Sequence, residues 1–310
     1  MVAPLICPGC RTRTDDTIDL RTVERAGDVL VCACGRRYPV VDGIPILVAD
    51  TRAIDIVAAI EAELPAEVAA ALVAAGPDVA PSPRLLVHLS IYLDAHWGDR
   101  ADPPAGFAAG PIIAKLAARP HVAQAVELGC STGRIVAELA QRADHVVGVD
   151  LHVGSLRRAR RLLDGEPLTY NRRVSGRTYT TATVAAGDRA MSASRRALVC
   201  GDALDPPLVP GIYDRVVALN LLDTVRHPQL LLSVMDGLCT HGGEVILTTP
   251  YAWQSAIVDE SEILDEAGVV AWLVGRGFVV EEQAELAWSL RRDARATFAY
   301  CVHYLRARKL

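Results

Sequence analysis

The stretch VELGCSTGRIVAELA, residues 126–140, decides the fold of this chain. A short apolar run ends just after Glu127, a turn at 129–133 holds two glycines and two hydroxyl residues, and helical spacing begins at once. Glycines let backbone approach a ligand closely, and a helix start offers N–H groups without partners. A tight turn alone would explain the glycines, whereas a backbone cradle for a nucleotide-like ligand would explain the whole stretch.

From this stretch onward, strand and helix patterns alternate. We predict strands at 122–129, 145–150, 197–203, 213–222, 242–250, 278–286 and 297–309, and helices at 133–142, 154–163, 227–238 and 262–275. The alternation predicts an α/β fold with a mostly parallel seven-stranded sheet and helices on both faces. Residues 165–196 break the rhythm with Gly, Ser and Thr, and we interpret them as an insertion.

Composition narrows the class of protein. The chain has 310 residues, 51% of them apolar, which suffices for a sizeable core. Its net charge of −5 argues against a general nucleic-acid binder. The sequence contains no run of eighteen apolar residues and begins with no signal-like segment, so we expect no membrane partner and a cytoplasmic location.

Two aspartates follow strands where a ligand would bind. In such sheets ligands lie beyond the carboxyl ends of the strands. Asp150 ends the second strand and is placed to accept both ribose hydroxyls of a nucleoside, and Asp202, after the third strand, is placed to accept from an adenine amino group. The alternatives are a helix N-cap at Asp150 and a loop turn at Asp202. The ordered set of both acids with the glycine turn favours the nucleoside.

These motifs resemble class I S-adenosylmethionine-dependent methyltransferases over residues 126–250. The matching segments, in order, are VELGCSTGR, GVD, GDA and YDRVVALNLLD…LCTHGGEVILTTPY. The resemblance implies a Rossmann-like fold and S-adenosylmethionine as cofactor. The G-x-x-x-G turn differs from the G-x-G-x-x-G of dinucleotide enzymes, which disfavours a nicotinamide cofactor.

The same resemblance implies roles for individual residues. Glu127 would lie near the methionine amino group, Asp150 would take the ribose, and Asp202 and Ala203 would border the adenine. The complete predicted cofactor-binding set is Glu127, Gly129, Cys130, Ser131, Gly133, Asp150, Leu151, Asp202, Ala203 and Asn220.

A narrower resemblance covers residues 85–310. The segments IYLDAHWGD, GEPLTYNRRVSG, NLLDTVRHP, LTTPYAW and RRDARATFAYCVHYLRARK resemble the methyltransferase half of ovothiol synthase, which N-methylates a mercaptohistidine imidazole. It implies N-methylation of a small, amino-acid-like compound that contains an imidazole or amine. The iron-dependent half is absent from this sequence, so the substrate need not be the same. The alternatives are a tRNA, rRNA or protein methyltransferase and a non-catalytic nucleoside-binding module that recruits a partner.

Candidate catalytic residues lie near the strand ends and on a predicted helix at 85–99. They are Tyr92, His96, Asn220 and Tyr251. Tyr92 and His96 share one helical face, because they are four residues apart. The alternative for this pair, and for Trp253, is ordinary packing. We expect residues 85–99 and the insertion, with Tyr170 and Arg172, to fold over the cofactor.

Arginines are concentrated at 155–200, where ten face only three acids. A solvated helix face explains this excess, and we favour that interpretation. The alternative is a positive rim that attracts a carboxylate-bearing substrate. Arg291, Arg292 and Arg295 raise the same question near the end of the chain.

Four of the eight cysteines lie in the first 34 residues, as Cys7-x-x-Cys10 and Cys32-x-Cys34. Four thiolates suit a closed, tetrahedral, structural zinc site. The segment CPGC…LVCACGRRYPVVDGIPIL resembles the zinc-ribbon protein that activates tRNA, rRNA and release-factor methyltransferases; the alternative is a hairpin with metal-free cysteines. We predict a zinc ribbon at 1–50, a helical linker and cap at 51–120, and a methyltransferase domain at 121–310. The oligomeric state is left open.

Overall fold

The structure is a computed structural model. It describes residues 4–10, 12–13, 18–49, 83–176, 178–254 and 257–310. The Ala-rich segment 52–75, for which the sequence predicts helical spacing, lies outside the described residues. None of the described helices is long and apolar enough to cross a bilayer.

Sixteen strands and six α-helices are numbered in chain order within the described ranges. The strands are β1 (Thr12–Arg13), β2 (Ile18–Asp19), β3 (Val23–Ala26), β4 (Val29–Cys32), β5 (Arg37–Val41), β6 (Ile44–Pro45), β7 (Ala101–Asp102), β8 (Val122–Leu128), β9 (Ala143–Asp150), β10 (Leu168–Ser175), β11 (Thr178–Val184), β12 (Arg196–Cys200), β13 (Tyr213–Leu219), β14 (Cys239–Thr249), β15 (Phe278–Arg291) and β16 (Thr297–Lys309). The helices are α1 (Pro83–Trp97), α2 (Gly110–Ala117), α3 (Arg134–Leu139), α4 (Val153–Leu163), α5 (Pro228–Leu238) and α6 (Glu266–Gly275).

A seven-stranded sheet with the order β12-β9-β8-β13-β14-β16-β15 forms the centre of the fold. The first five strands are parallel, and β16 runs antiparallel to both β14 and β15. The predicted α/β class with a mostly parallel seven-stranded sheet is confirmed. Strand order reverses at β8, because β9 and β13 lie on its two sides, and such a switch point opens a crevice at the strand ends.

Apolar side chains fill both faces of the sheet. On one face, Leu93 of α1 and Ile112 of α2 belong to one buried cluster. On the other, Leu231 of α5 and Val269 of α6 belong to a second. The central strands are therefore buried in consecutive positions rather than alternate ones, as a parallel sheet covered on both faces requires.

The predicted insertion is a β-hairpin rather than an irregular loop. β10 and β11 pair antiparallel, and β11 also pairs with the short β7. Leu168, Tyr170 and Arg172 are buried and alternate with exposed neighbours, so this face of the hairpin packs against the protein. The two closing strands also form a hairpin, and β15 extends to Arg291, five residues beyond the predicted end.

The N-terminal strands pack directly against the methyltransferase sheet. The Asp42–Gly43 turn joins β5 to β6, with both residues at positive φ. Ile46 forms a parallel bridge with Cys200, at the end of β12. The predicted limits of the three domains stay predictions.

Candidate functional site

A cavity of about 430 Å³ opens at the carboxyl ends of β8, β9 and β13, at the switch point of the sheet. Its volume lies in the range typical of small-molecule sites. The glycine turn after β8 and the segments after β13 and β14 form its floor and sides. Helix α1 and the β15–β16 hairpin contribute the remaining wall.

Two glycines of the turn at 129–133 serve different purposes. Gly129 lines the cavity at a φ of 76°, and a Cβ there would lie 3.1 Å from the Leu221 side chain. Gly133 has a φ of 77°, and a Cβ there would lie 2.8 Å from the Cβ of Ala159 in α4. Gly133 is therefore required by helix packing. Ser131 also lines the cavity, whereas the side chain of Cys130 is fully buried among apolar neighbours.

Asp150 lines the cavity and holds the turn in shape. Its Oδ2 accepts from the backbone N–H of Ser131 at 2.7 Å, and its Oδ1 accepts from the backbone N–H of His152 at 2.7 Å. Each oxygen keeps a second lone pair, so the carboxylate can still accept from a ligand hydroxyl. Burial raises the pKa of Asp150, and the two backbone N–H groups partly offset this.

Glu127 is the most deeply buried acid of the cavity wall, with 1% of the residue exposed. Its Oε2 has no hydrogen-bond partner among the described residues. Burial, and after it the negative charge of Asp150, raise the pKa of Glu127 well above its usual range. A buried carboxylate oxygen without a partner is costly, so a cationic ligand group in the cavity would stabilise it.

Asn220 lines the cavity after β13, and its amide oxygen is already engaged. Its Oδ1 accepts from the Thr248 hydroxyl at 2.8 Å, which turns Nδ2 away from that bond. Nδ2 is buried and has no partner in the part of the chain that the structure describes. The backbone of Asn220 adopts a φ of 50°, which directs the chain around the cavity floor.

Five predicted cofactor residues do not line the cavity: Cys130, Gly133, Leu151, Asp202 and Ala203. Asp202 accepts the backbone N–H of Leu204 at 2.8 Å through Oδ1, which is the loop-turn role that the sequence left open. Contact with a cofactor at these five positions stays a prediction from the resemblance.

Helix α1 places Tyr92 and His96 on the cavity wall, as one helical face predicts. Their rings meet edge to face with centroids 6.0 Å apart, and His96 makes a similar contact with Trp288 at 5.9 Å. The Nδ1 of His96 lies 3.2 Å from the Thr132 hydroxyl. Burial, followed by the positive charge of Arg134, lowers the pKa of His96 to about 4, so the ring is neutral at physiological pH.

Tyr251 faces away from the cavity. Its hydroxyl lies 2.8 Å from Nδ1 of His303, and the two rings stack with centroids 5.9 Å apart. Trp253 packs beside it at 6.2 Å, so both aromatic rings belong to the core cluster behind β14. Their neighbours Pro250 and Ala252 contribute to the cavity wall instead.

The ends of β15 and β16 form an arm, residues 287–301, that reaches past the last pair between β14 and β16 at Thr249 and His303. Trp288 and Leu290 of this arm line the cavity. The tip of the arm is held by a hydrogen bond from Ala294 to the insertion hairpin. The sequence analysis did not predict the arm. The alternation of large residues in WSLRR would have indicated a strand with one face towards the protein.

The insertion hairpin contacts the arm and α1 and does not line the cavity. The Tyr170 hydroxyl donates to Asp94 of α1 at 2.5 Å, and Nε of Arg172 donates to the same carboxylate at 2.8 Å. Asp94 and Arg172 are both buried. Neither Tyr170 nor Arg172 lines the cavity, so their expected substrate contacts stay a prediction that the geometry does not favour.

Arginines of the segment 155–200 are engaged in ion pairs. The pairs are Arg157–Asp42, Arg160–Asp164, Arg161–Glu166, Arg172–Asp94 and Arg189–Glu138. Within the described residues no arginine or lysine lines the cavity, including the described arginines near the end of the chain. The arrangement does not favour a positive rim at the cavity. The solvated-face interpretation does not hold for every arginine either, because Arg158, Arg172 and Arg196 are buried.

The four N-terminal cysteines converge. The Sγ atoms of Cys7, Cys10, Cys32 and Cys34 all lie within 4.8 Å of one another. Cys7 and Cys34 are 3.9 Å apart, and Cys10 and Cys32 are 3.5 Å apart. A tetrahedral zinc with bonds of about 2.3 Å places its sulfur ligands about 3.8 Å apart, so the donor set and spacing fit this metal.

Comparison with known proteins agrees with the fold. Residues 126–247 match the family model of a methyltransferase domain, and comparison with curated proteins gives no significant match. One similar solved structure is magnesium protoporphyrin IX methyltransferase from Synechocystis PCC 6803 with bound SAM, at 18% identity, 65% coverage of this chain, 78% of that chain and a TM-score of 0.44.

Two further solved structures are similar at 14% identity and 64% coverage of this chain. The N-methyltransferase NodS from Bradyrhizobium japonicum WM9, in complex with S-adenosyl-L-homocysteine, is covered to 84% with a TM-score of 0.44. A putative methyltransferase from Bacillus halodurans C-125 is covered to 97% with a TM-score of 0.46. On its domain match and fold, the chain carries a class I S-adenosylmethionine-dependent methyltransferase domain and is an enzyme of that class.

Proposed function

We propose that this methyltransferase acts on a nitrogen atom of a small molecule. The observation that carries the proposal is the cavity itself, which α1 and the arm help to line. Two of its lining residues, Glu127 and Asn220, each have a buried polar atom, Oε2 and Nδ2, that has no partner among the described residues. An open cofactor mouth would suit a side chain or base presented by a macromolecule. A walled cavity favours a compound small enough to enter it.

The cavity residues fit S-adenosylmethionine. Glu127 is placed to pair with its ammonium group, and the free lone pairs of Asp150 are placed to accept ribose hydroxyls. When bound, this cofactor supplies a methyl group on a positively charged sulfur. An acidic wall stabilises that charge, whereas a neutral His96 does not oppose it.

The protein contributes mainly position and exclusion of water. Methyl transfer is an in-line displacement, so the acceptor nitrogen must be held about 3–3.5 Å from the methyl carbon. Tyr92 and His96 on α1 and Trp288 on the arm face this space and exclude water from it. A neutral nitrogen, as in an amine or imidazole, is a suitable nucleophile because it carries a lone pair.

For the N-terminal unit we propose a structural zinc. Four thiolates leave no open coordination position, so the metal would stabilise the fold and take no part in methyl transfer. The Tyr38 hydroxyl lies 3.1 Å from Sγ of Cys7 and is placed to stabilise that ligand.

The test uses S-adenosylmethionine labelled in its methyl group. The full chain is incubated with separate pools of small amines and imidazoles, tRNA, rRNA and unfolded protein. We expect label in the small-molecule pool, and label confined to RNA or protein would contradict the proposal. Glu127→Gln removes the charge for the ammonium group and should weaken cofactor binding at least tenfold in calorimetry, since a charged hydrogen bond contributes about 1.5–3 kcal/mol.

A further inference from the structure

One charged group of the cavity remains unassigned after the cofactor is accounted for. Asp223 lines the cavity from the turn after β13 and is 3% exposed. The Thr249 hydroxyl lies 3.4 Å from its Oδ1, and a backbone hydrogen bond from Ala252 also favours the charged form. Burial raises the pKa of Asp223, which is the expected result for a carboxyl group that lacks a strong positive partner.

Aromatic rings face the same space. Trp288 and Tyr300 are direct cross-strand partners in the arm, so their side chains share one face, and both line the cavity. Tyr92 lies across from them on α1. Tyr92, Asp150, Asp223 and Tyr300 all line this cavity. Burial, followed by the charges of the other three groups, raises the pKa of Tyr92.

The charge of this wall is one-sided. Glu127, Asp150 and Asp223 line the cavity, and among the described lining residues there is no arginine or lysine to pair with a substrate carboxylate. A substrate carboxylate beside Asp223 would meet a like charge, with no arginine or lysine of the described lining to offset it. An ammonium group would meet a carboxylate at Asp223 and the faces of aromatic rings, which attract cations.

Building on the proposed function, we propose that the methyl acceptor is a primary or secondary amine without a carboxylate, and that Asp223 binds its ammonium group between the rings of Tyr92, Trp288 and Tyr300. The observation that carries this is the pairing of an unassigned buried acid with three aromatic residues in a cavity whose described lining holds no arginine or lysine.

The transfer then balances in protons and electrons. The bound ammonium first gives one proton to the Asp223 carboxylate, which frees the nitrogen lone pair. This lone pair forms the N–C bond while the C–S bond of the cofactor breaks, and sulfur keeps that electron pair. The product is an N-methylammonium ion and S-adenosylhomocysteine, and Asp223 releases its proton to solvent.

Matched pairs of compounds test the proposal. Tyramine and tyrosine, histamine and histidine, and tryptamine and tryptophan differ in each case by one carboxyl group. Each compound is titrated by calorimetry into the full chain saturated with S-adenosylhomocysteine. We expect at least one amine to bind at least tenfold more tightly than its parent amino acid.

Two variants locate the amine. Asp223→Asn should weaken binding of that amine at least tenfold and leave the affinity for S-adenosylhomocysteine within threefold. Tyr300→Leu keeps an apolar side chain and should weaken the amine several-fold through loss of the ring. Preference for the amino acids, an unchanged amine affinity in both variants, or no amine binding to cofactor-loaded protein would overturn the proposal. Failure of S-adenosylhomocysteine to bind would instead refute the proposed function.

Discussion

Oδ2 of Asp150 accepts a hydrogen bond from the backbone N–H of Ser131 at 2.7 Å, which ties the end of β9 to the glycine turn after β8. The other oxygen of the same carboxylate accepts a hydrogen bond from the backbone N–H of His152, just before α4. One side chain thus shapes the turn and lines the cavity that the turn borders.

Asp150→Ala should weaken cofactor binding ten- to hundredfold, because a buried charged hydrogen-bond acceptor contributes about 1.5–3 kcal/mol. Calorimetry with S-adenosylmethionine gives the affinity. Asp144→Ala is the matched control, since Asp144 lies at the opposite, exposed end of the same strand. Equal affinities for the two variants would show that the cavity is not the cofactor site.

Freshly purified protein should contain one zinc per chain. Cys32→Ser should lose it and destabilise the N-terminal unit, because metal binding contributes folding free energy to so small a unit. Elemental analysis gives the metal content. Cys301→Ser, which changes an exposed cysteine outside the cluster, should keep the metal. Unchelated wild-type protein without metal would contradict the zinc site.

Tyr92→Phe should lower the rate of methyl transfer at least tenfold and leave cofactor affinity within twofold, because Tyr92 lines the cavity from α1 and the proposal places it at the acceptor. Single-turnover transfer from labelled cofactor to the best-binding amine measures the rate. Tyr179→Phe changes a hairpin tyrosine outside the cavity lining and should have no effect. A matching loss of cofactor affinity in Tyr92→Phe would refute the assignment.

The free energy of unfolding should fall as the pH drops below neutral, because of His96. Its pKa is about 4 in the folded protein and about 6.5 in the unfolded chain, so the unfolded state binds more protons between these values. The stabilisation is complete above pH 6.5 and is lost as the pH falls towards 4. Between pH 7.5 and 5, wild type should lose about 2 kcal/mol more than His96→Gln in chemical unfolding. Parallel pH profiles for the two proteins would contradict the lowered pKa.

The buried ion pair between Asp94 and Arg172 should contribute far more to the free energy of unfolding than an exposed ion pair does. Asp94→Ala leaves the Arg172 guanidinium buried without its carboxylate, which should cost about 3–5 kcal/mol of unfolding free energy. Asp188→Ala removes ion pairs with Arg100 and Arg189 in which the acid is 65% exposed, and should change the free energy of unfolding little. Denaturant titrations compare the two, and similar costs would mean that Asp94 is not a buried anchor.

Local patterns predicted the sheet well because each parallel strand is buried on both faces and therefore appears as a short apolar run. The same reasoning did not predict strands in the insertion, because Thr and Arg occupy most of its outward-facing positions and such polar stretches are typical of loops. Leu168, Tyr170 and Arg172 are buried and alternate with exposed residues. This period of two residues, taken together with β-propensity, would have indicated a strand.

The sequence does not specify the direction of each side chain, and this limited the prediction of the site. Sequence position placed Asn220 and Tyr251 at strand ends, yet only Asn220 lines the cavity, since Tyr251 turns to His303. Trp288 and Tyr300 come from the far end of the chain. Their approach to Tyr92 depends on how a hairpin extends past the sheet, which no local pattern specifies.

The bridge between Ile46 and Cys200, with the hydrogen bond from Leu47 to the Cys200 carbonyl at 2.8 Å, has a consequence for solubility. β12 is an outermost strand, and its free N–H and C=O groups are a template on which another chain can pair. The N-terminal unit occupies the carboxyl end of that template, and charged residues such as Glu281 and Glu285 protect the opposite margin. Removal of the proposed zinc should therefore first appear as aggregation between copies, before any loss of methyl transfer.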